Sequence, residues 1–174
     1  MKKSLLCSLS AFLLFAFATN HKEEAKVNAV LDAWHKAAAE AQFDTYFSLM
    51  TPNGVFIGTD ATENWQNDAF RAFAKPFFEK GKAWDFKLLE RHIYFSKDQK
   101  TAWFDELLDT QMKICRGSGV LVKSEKQWKI AHYVLSMTVP NNNTNEVVKT
   151  KDKIESEIIQ QLRHKDYKKE HWTH

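Results

Sequence analysis

Residues 101–139 read TAWFDELLDT (101–110), QMK (111–113), ICRGSGVLVK (114–123), SEK (124–126) and QWKIAHYVLSMTV (127–139). Three apolar runs of about ten residues are separated by short polar breaks, and Pro140 closes the last one. Side chains in each run alternate with period two, the pattern of antiparallel strands joined by tight turns. This predicts strands over Ala102–Thr110, Ile114–Lys123 and Gln127–Val139. Upstream, Trp84–Ser96 is a fourth long strand, and Lys97-Asp98-Gln99-Lys100 is the turn that follows it.

Further towards the N-terminus the period changes to 3.6. Val27, Val30, Leu31, Trp34 and Ala38 mark one face of a helix over residues 22–41. Asp44 can cap a short second helix carrying Tyr46, Phe47, Leu49 and Met50, which Thr51-Pro52-Asn53-Gly54 stops. Val55-Phe56-Ile57 is a short strand. A third helix over about 64–80 carries Trp65, Phe70, Phe73, Phe77 and Phe78, with Pro76 near its last turn. Three helices followed by a meander of long strands give an α+β fold, a curved sheet wrapped on helices.

The ends stand apart from this domain. Met1-Lys2-Lys3, an apolar run from Ser4 to Ala18 and the Ala16-Phe17-Ala18 pattern read as a signal peptide, residues 1–18, of an exported protein, periplasmic or secreted. Cleavage there removes Cys7 and leaves Cys115 as the single thiol, so no internal disulfide is expected. Residues 22–140 form the domain. Residues 141–174 form an Asn-rich linker, a helix over Val147–Leu162 and a charged tail; Asn142 sits in a glycosylation acceptor pattern.

The 174 residues carry 25 basic and 22 acidic side chains, a balance that argues against nucleic-acid binding. No integral membrane segment is expected after signal cleavage. Thirteen Phe and six Trp point instead to a thick core or an aromatic-lined cavity. No metal is implied, because the His and Cys residues lack ligand spacing, and no cofactor is implied, because no Gly-rich phosphate loop is present.

Several phrases resemble the SnoaL-like group of the NTF2-like fold, to which nuclear transport factor 2, ketosteroid isomerase and SnoaL polyketide cyclase belong. They are GVFIGTD (54–60) with Glu63-Asn64-Trp65, AWFDE (102–106), RGSGVL (116–121) and WKIAHY (128–133), and the resemblance spans 25–140. It implies a cone whose concave sheet and helices enclose a pocket, and a homodimer formed through the open face of the sheet. The fold hosts isomerases, cyclases, hydrolases and binding modules. No catalytic carboxylate of the isomerases matches a shared motif here.

Alternation decides which side chains can face the pocket. Trp103, Asp105, Leu107 and Asp109 share one face of their strand; Phe104, Glu106 and Leu108 share the other. On the last strand Trp128, Ile130 and His132 oppose Ala131, Tyr133 and Leu135. The candidate catalytic set is Asp105 or Glu106 as base, with His132 or Tyr133 assisting. The structural alternative pairs the acid with Arg116, beside the flexible Gly117 and Gly119. Candidate ligand-binding residues are Thr59, Asp60, Trp65, His92, Trp103 and Arg116. Asp60 or Thr62 can alternatively cap the third helix. The expected function is binding of a small, partly apolar ligand; the rivals are an isomerase or cyclase and a homodimeric interaction module.

Overall fold

The computed structural model describes residues 4–164, with side chains from His21 onward. The signal segment expected over 1–18 therefore lies outside the residues whose side chains are described, and 165–174 lie outside the described residues altogether. Helix α1 (Ser4–Ala39) is followed by α2 (Phe43–Ser48), β1 (Met50–Ile57), β2 (Asn64–Gln66) and α3 (Asn67–Glu79). Four long strands come next: β3 (Lys87–Phe95), β4 (Thr101–Thr110), β5 (Lys113–Ser124) and β6 (Gln127–Met137). They form one six-stranded sheet in the order β2-β1-β6-β5-β4-β3. Only β1 and β6 are parallel. This is the α+β architecture expected from the sequence.

The core lies between the inner face of the sheet and the three helices. Val27, Leu31, Trp34 and Ala38 of α1 are almost completely buried, as their spacing requires. They meet Tyr46 and Phe47 of α2, Phe70 and Phe78 of α3, and Phe104, Leu121, Ile130 and Tyr133 of the sheet. Burying each such large side chain contributes about 1.5–3 kcal/mol. Cys115 is a buried free thiol. Near the start of the domain Glu23 accepts hydrogen bonds from Lys123 Nζ and Trp128 Nε1, each at 2.8 Å, and pairs with Lys26. Lys123, then Lys26, hold its carboxyl at about 2, so α1 is clamped to β5 and β6 by an ionised acid.

Three local features differ from the sequence-based expectation. The first is the Thr51–Gly54 stretch, expected to stop a helix. It lies inside β1, where the register jumps between Met50 and Val55 and so accommodates Pro52 in an interrupted ladder. The second is residues 64–66, which pair antiparallel with β1 instead of opening α3; Phe56 faces Trp65 across this hairpin. Asp60 does not cap α3. It accepts from the Thr62 N–H at 2.9 Å and from its hydroxyl at 2.6 Å, bracing the β1–β2 turn. The third is a bulge in β6. Val120 pairs with His132 and Leu121 with Ile130, leaving Ala131 as the extra residue. The bulge moves the inward positions from Trp128 and Ile130 to Tyr133 and Leu135, all four of which are buried.

Residues from Thr138 form a second unit. It contains a 3-10 turn, Asn141–Asn143, and α4 (Thr144–Arg163), and no residue of α4 is buried. Asn142 lies in the turn and is exposed. Among the described residues, no helix is long and apolar enough to cross a membrane.

Candidate functional site: a buried acid network behind an aromatic cavity

Glu106 is a charged residue on an apolar strand face, and its side chain is completely buried. Its partners come from three other elements. His35 of α1 lies 2.8 Å from Oε1 through Nε2, and the Tyr133 hydroxyl of β6 donates to the same oxygen at 3.1 Å. Arg91 of β3 donates to Oε2 through Nε at 2.8 Å, with Nη2 also 2.8 Å from that oxygen. The Nη1 group of Arg91 reaches back to Asp32 at 2.8 Å and Asn28 at 3.0 Å, both on α1. An ionised carboxylate only accepts, so His35 carries its proton on Nε2.

Burial alone would push the Glu106 carboxyl up. His35 and Arg91 outweigh it and hold the group below the ordinary 4.5. Burial, then the neighbouring Glu106 charge, push the Tyr133 phenol well above its ordinary range, so it stays a neutral donor. A carboxylate of lowered basicity whose two oxygens are both engaged is poorly placed to abstract a proton from a substrate. The arrangement fits a strut that ties α1 to β3, β4 and β6. Gly117 makes room for it: a Cβ there would lie 2.3 Å from the Tyr133 hydroxyl and 2.8 Å from Glu106 Oε1. Gly117 therefore supplies space, while the bulge between β5 and β6 falls at Ala131.

Of the four residues expected around a catalytic acid, the structure brings Glu106 and Tyr133 together. Asp105 and His132 lie on the opposite, outer face of the sheet, His132 because of the Ala131 bulge. Arg116, Trp103 and His92 are on that outer face as well. The ion pair of the buried acid is thus made by Arg91, not Arg116. His92 Nδ1 sits 3.1 Å from Asp105 Oδ2 in an exposed pair, and that carboxylate raises the imidazole pKa. His35 and Arg91 were not singled out from the sequence. Arg91 did carry a signal: it alternates with Ile93 and Phe95 and so places a cation on an inward face.

The cavity is at the other end of the aromatic core. It encloses about 230 Å³. Its walls include Phe56 of β1, Trp65 of β2, Phe70 and Phe73 of α3, and Trp84 and Phe86 before β3. Phe56 and Phe70 stack with centroids 4.1 Å apart, and Trp65 stacks on Phe73 at 4.4 Å. Thr59, Glu63 and Gln111 supply its polar groups. Of the expected ligand-binding residues, Thr59 and Trp65 line this cavity; Asp60 lies in the turn at its edge. Larger clefts of about 480 and 510 Å³ are lined by Lys26, Lys126 and Lys129 and by Lys36, Glu40 and Lys87, and one of about 500 Å³ lies on the sheet beside Tyr94, Lys97 and Trp103. Long solvated side chains make poor walls for an apolar ligand in the first two. Among the described residues, no group of His, Cys, Asp and Glu could hold a metal ion.

Similarity to known proteins agrees with this architecture. An NTF2-like protein of unknown function from Pseudomonas putida KT2440 superposes with a TM-score of 0.57 at 12% identity, covering 69% of this chain and 89% of its own. A proposed dehydratase of the NTF2-like family from Streptomyces avermitilis gives 0.58 at 14% identity, covering 67% and 96%. An uncharacterised protein with a cystatin-like fold from Caulobacter vibrioides gives 0.56 at 15% identity, covering 75% and 99%. No curated protein matches the sequence. The SnoaL-like domain model matches residues 27–140, which takes in the last part of α1, all of α2 and α3 and the whole sheet, and the chain therefore belongs to the SnoaL-like family within the NTF2-like fold.

Proposed function

We propose that this chain is an exported protein whose SnoaL-like domain binds a small, partly apolar molecule in the aromatic cavity. The observation that carries the reading is the cavity itself: six aromatic rings converge on about 230 Å³, with few polar groups among them. Such rings offer large rigid contact area, and Trp65, Trp84 and Phe86 are only partly covered by the protein. The volume suits a single ring with a short chain. Export is supported by the pattern of residues 1–18.

The test is a titration with 2-phenylethanol followed by the indole N–H resonances. Those of Trp65 and Trp84 are expected to shift, and that of Trp103, on the outer face, to stay. Trp65→Ala is expected to weaken binding about three- to tenfold, the range for losing one aromatic contact. No shift at Trp65 and Trp84 would overturn the reading.

One observation favours a second, compatible reading, a homodimer. Tyr94 and Trp103 stack on the outer face with centroids 6.0 Å apart, and both are nearly half exposed. Val120 and Val122 of β5 flank them. An apolar stripe of this kind fits a second copy of the sheet. Light scattering is expected to give twice the chain mass, and Trp103→Glu to give the monomer; a wild-type monomer at all concentrations would count against it.

A further inference from the structure

We propose that the molecule bound in the aromatic cavity is an organic cation, an amine or quaternary ammonium carried on an apolar body. The inference rests on the cavity being the binding site and adds the charge of its ligand. Three features of the cavity point the same way.

The first is the walls. Aromatic faces carry the negative end of a quadrupole and attract cations lying over them. Here Trp65, Trp84 and Phe86 present rings at the mouth, with Phe56 and Phe70 behind them. The second is the one charged group among the lining residues, the Glu63 carboxylate. None of the lining residues is Lys, Arg or His. The third is that Glu63 has no cationic partner among the described residues. Its Oε2 accepts only the backbone N–H of Asp60, at 3.2 Å, in a half-buried position. Asp60 adds a second negative charge in the same turn.

The placement of Glu63 depends on Gly58. A Cβ on Gly58 would lie 2.1 Å from Glu63 Oε2, so the carboxylate rests against bare backbone at the cavity edge. The β1–β2 hairpin fixes it there, through the Gly58 N–H to Glu63 carbonyl bond at 3.0 Å. A partly desolvated acid beside aromatic faces repels an anion, tolerates a neutral group and attracts a cation.

Three probes with the same phenylethyl body separate these cases: phenethylamine (protonated at pH 7), 2-phenylethanol and 3-phenylpropionate. Calorimetric titration is expected to rank them amine, alcohol, carboxylate, with the amine tighter than the alcohol by about tenfold. Glu63→Gln is expected to narrow the gap between the amine and the alcohol, the aromatic faces keeping the remainder. Gly58→Ala, which displaces the carboxylate without removing it, is expected to narrow the same gap. An alcohol that binds as well as the amine would overturn the cation assignment and leave the cavity as the site, and a gap that Glu63→Gln leaves at full width would overturn the role of Glu63 in it. Failure of all three probes to bind would overturn both.

Discussion

Arg91→Met is expected to lower the unfolding free energy by about 3–5 kcal/mol at neutral pH, the usual result of stripping the partner from a buried charge. Both side chains of the pair are closed to solvent, Arg91 at 3% exposure and Glu106 at 0%. Methionine fills much of the same volume, so the loss is electrostatic rather than a cavity. It leaves the Glu106 anion with only His35 and Tyr133. The pH dependence identifies the cause. Glu106 has a carboxyl below its ordinary 4.5 in the folded protein, so its contribution is present above 4.5 and is lost as pH falls through the folded value. Without Arg91, burial raises the group, and protonation then relieves the unpaired charge. The deficit of the variant is therefore expected to be largest near pH 7 and to shrink below 4.5. The double variant Arg91→Met, Glu106→Gln is expected to be more stable than Arg91→Met alone. Urea unfolding at several pH values measures all of this, and a deficit independent of pH would contradict the strut.

Gly117→Ala probes the same network by size rather than charge, and is expected to cost about 1–3 kcal/mol. The added methyl would meet the end of a buried, rigid ring at 2.3 Å and the Glu106 carboxylate at 2.8 Å. Neither can step aside, because Tyr133 packs edge-on to Trp34 at 4.7 Å and stacks on Phe56 at 5.6 Å. Tyr133→Phe removes the hydroxyl, so the cost of Gly117→Ala is expected to be smaller in that background. Equal costs in both backgrounds would mean that the glycine serves backbone conformation instead of space. Denaturant unfolding of the four proteins gives the coupling.

The fold was legible because its elements carry strong periods. The stripe Val27–Leu31–Trp34–Ala38 and the alternation of Phe104, Glu106 and Leu108 each match the observed burial. The site was less legible, for three physical reasons. Alternation counts correctly only until a bulge: it groups His132 with Ile130 and opposite Tyr133, whereas the extra residue Ala131 brings Ile130 and Tyr133 to one face. The network around Glu106 draws its partners from 15 to 71 residues away, so no local spacing announces His35 or Arg91. Trp65 also fits a helical stripe with Phe73, yet it reaches the same ring from a strand because the β1–β2 hairpin claims residues 64–66. The aromatic excess, in contrast, led to the cavity, since rings at helix and strand positions converge there whichever element holds them.

The aromatic cavity, and not the Glu106 network or the outer face of the sheet, is expected to receive the ligand. Intermolecular nuclear Overhauser contacts from bound 2-phenylethanol locate it. Contacts are expected to the rings of Trp84, Phe86 and Trp65. Contacts confined to Trp103, Tyr94 and His92 on the outer face would contradict that placement.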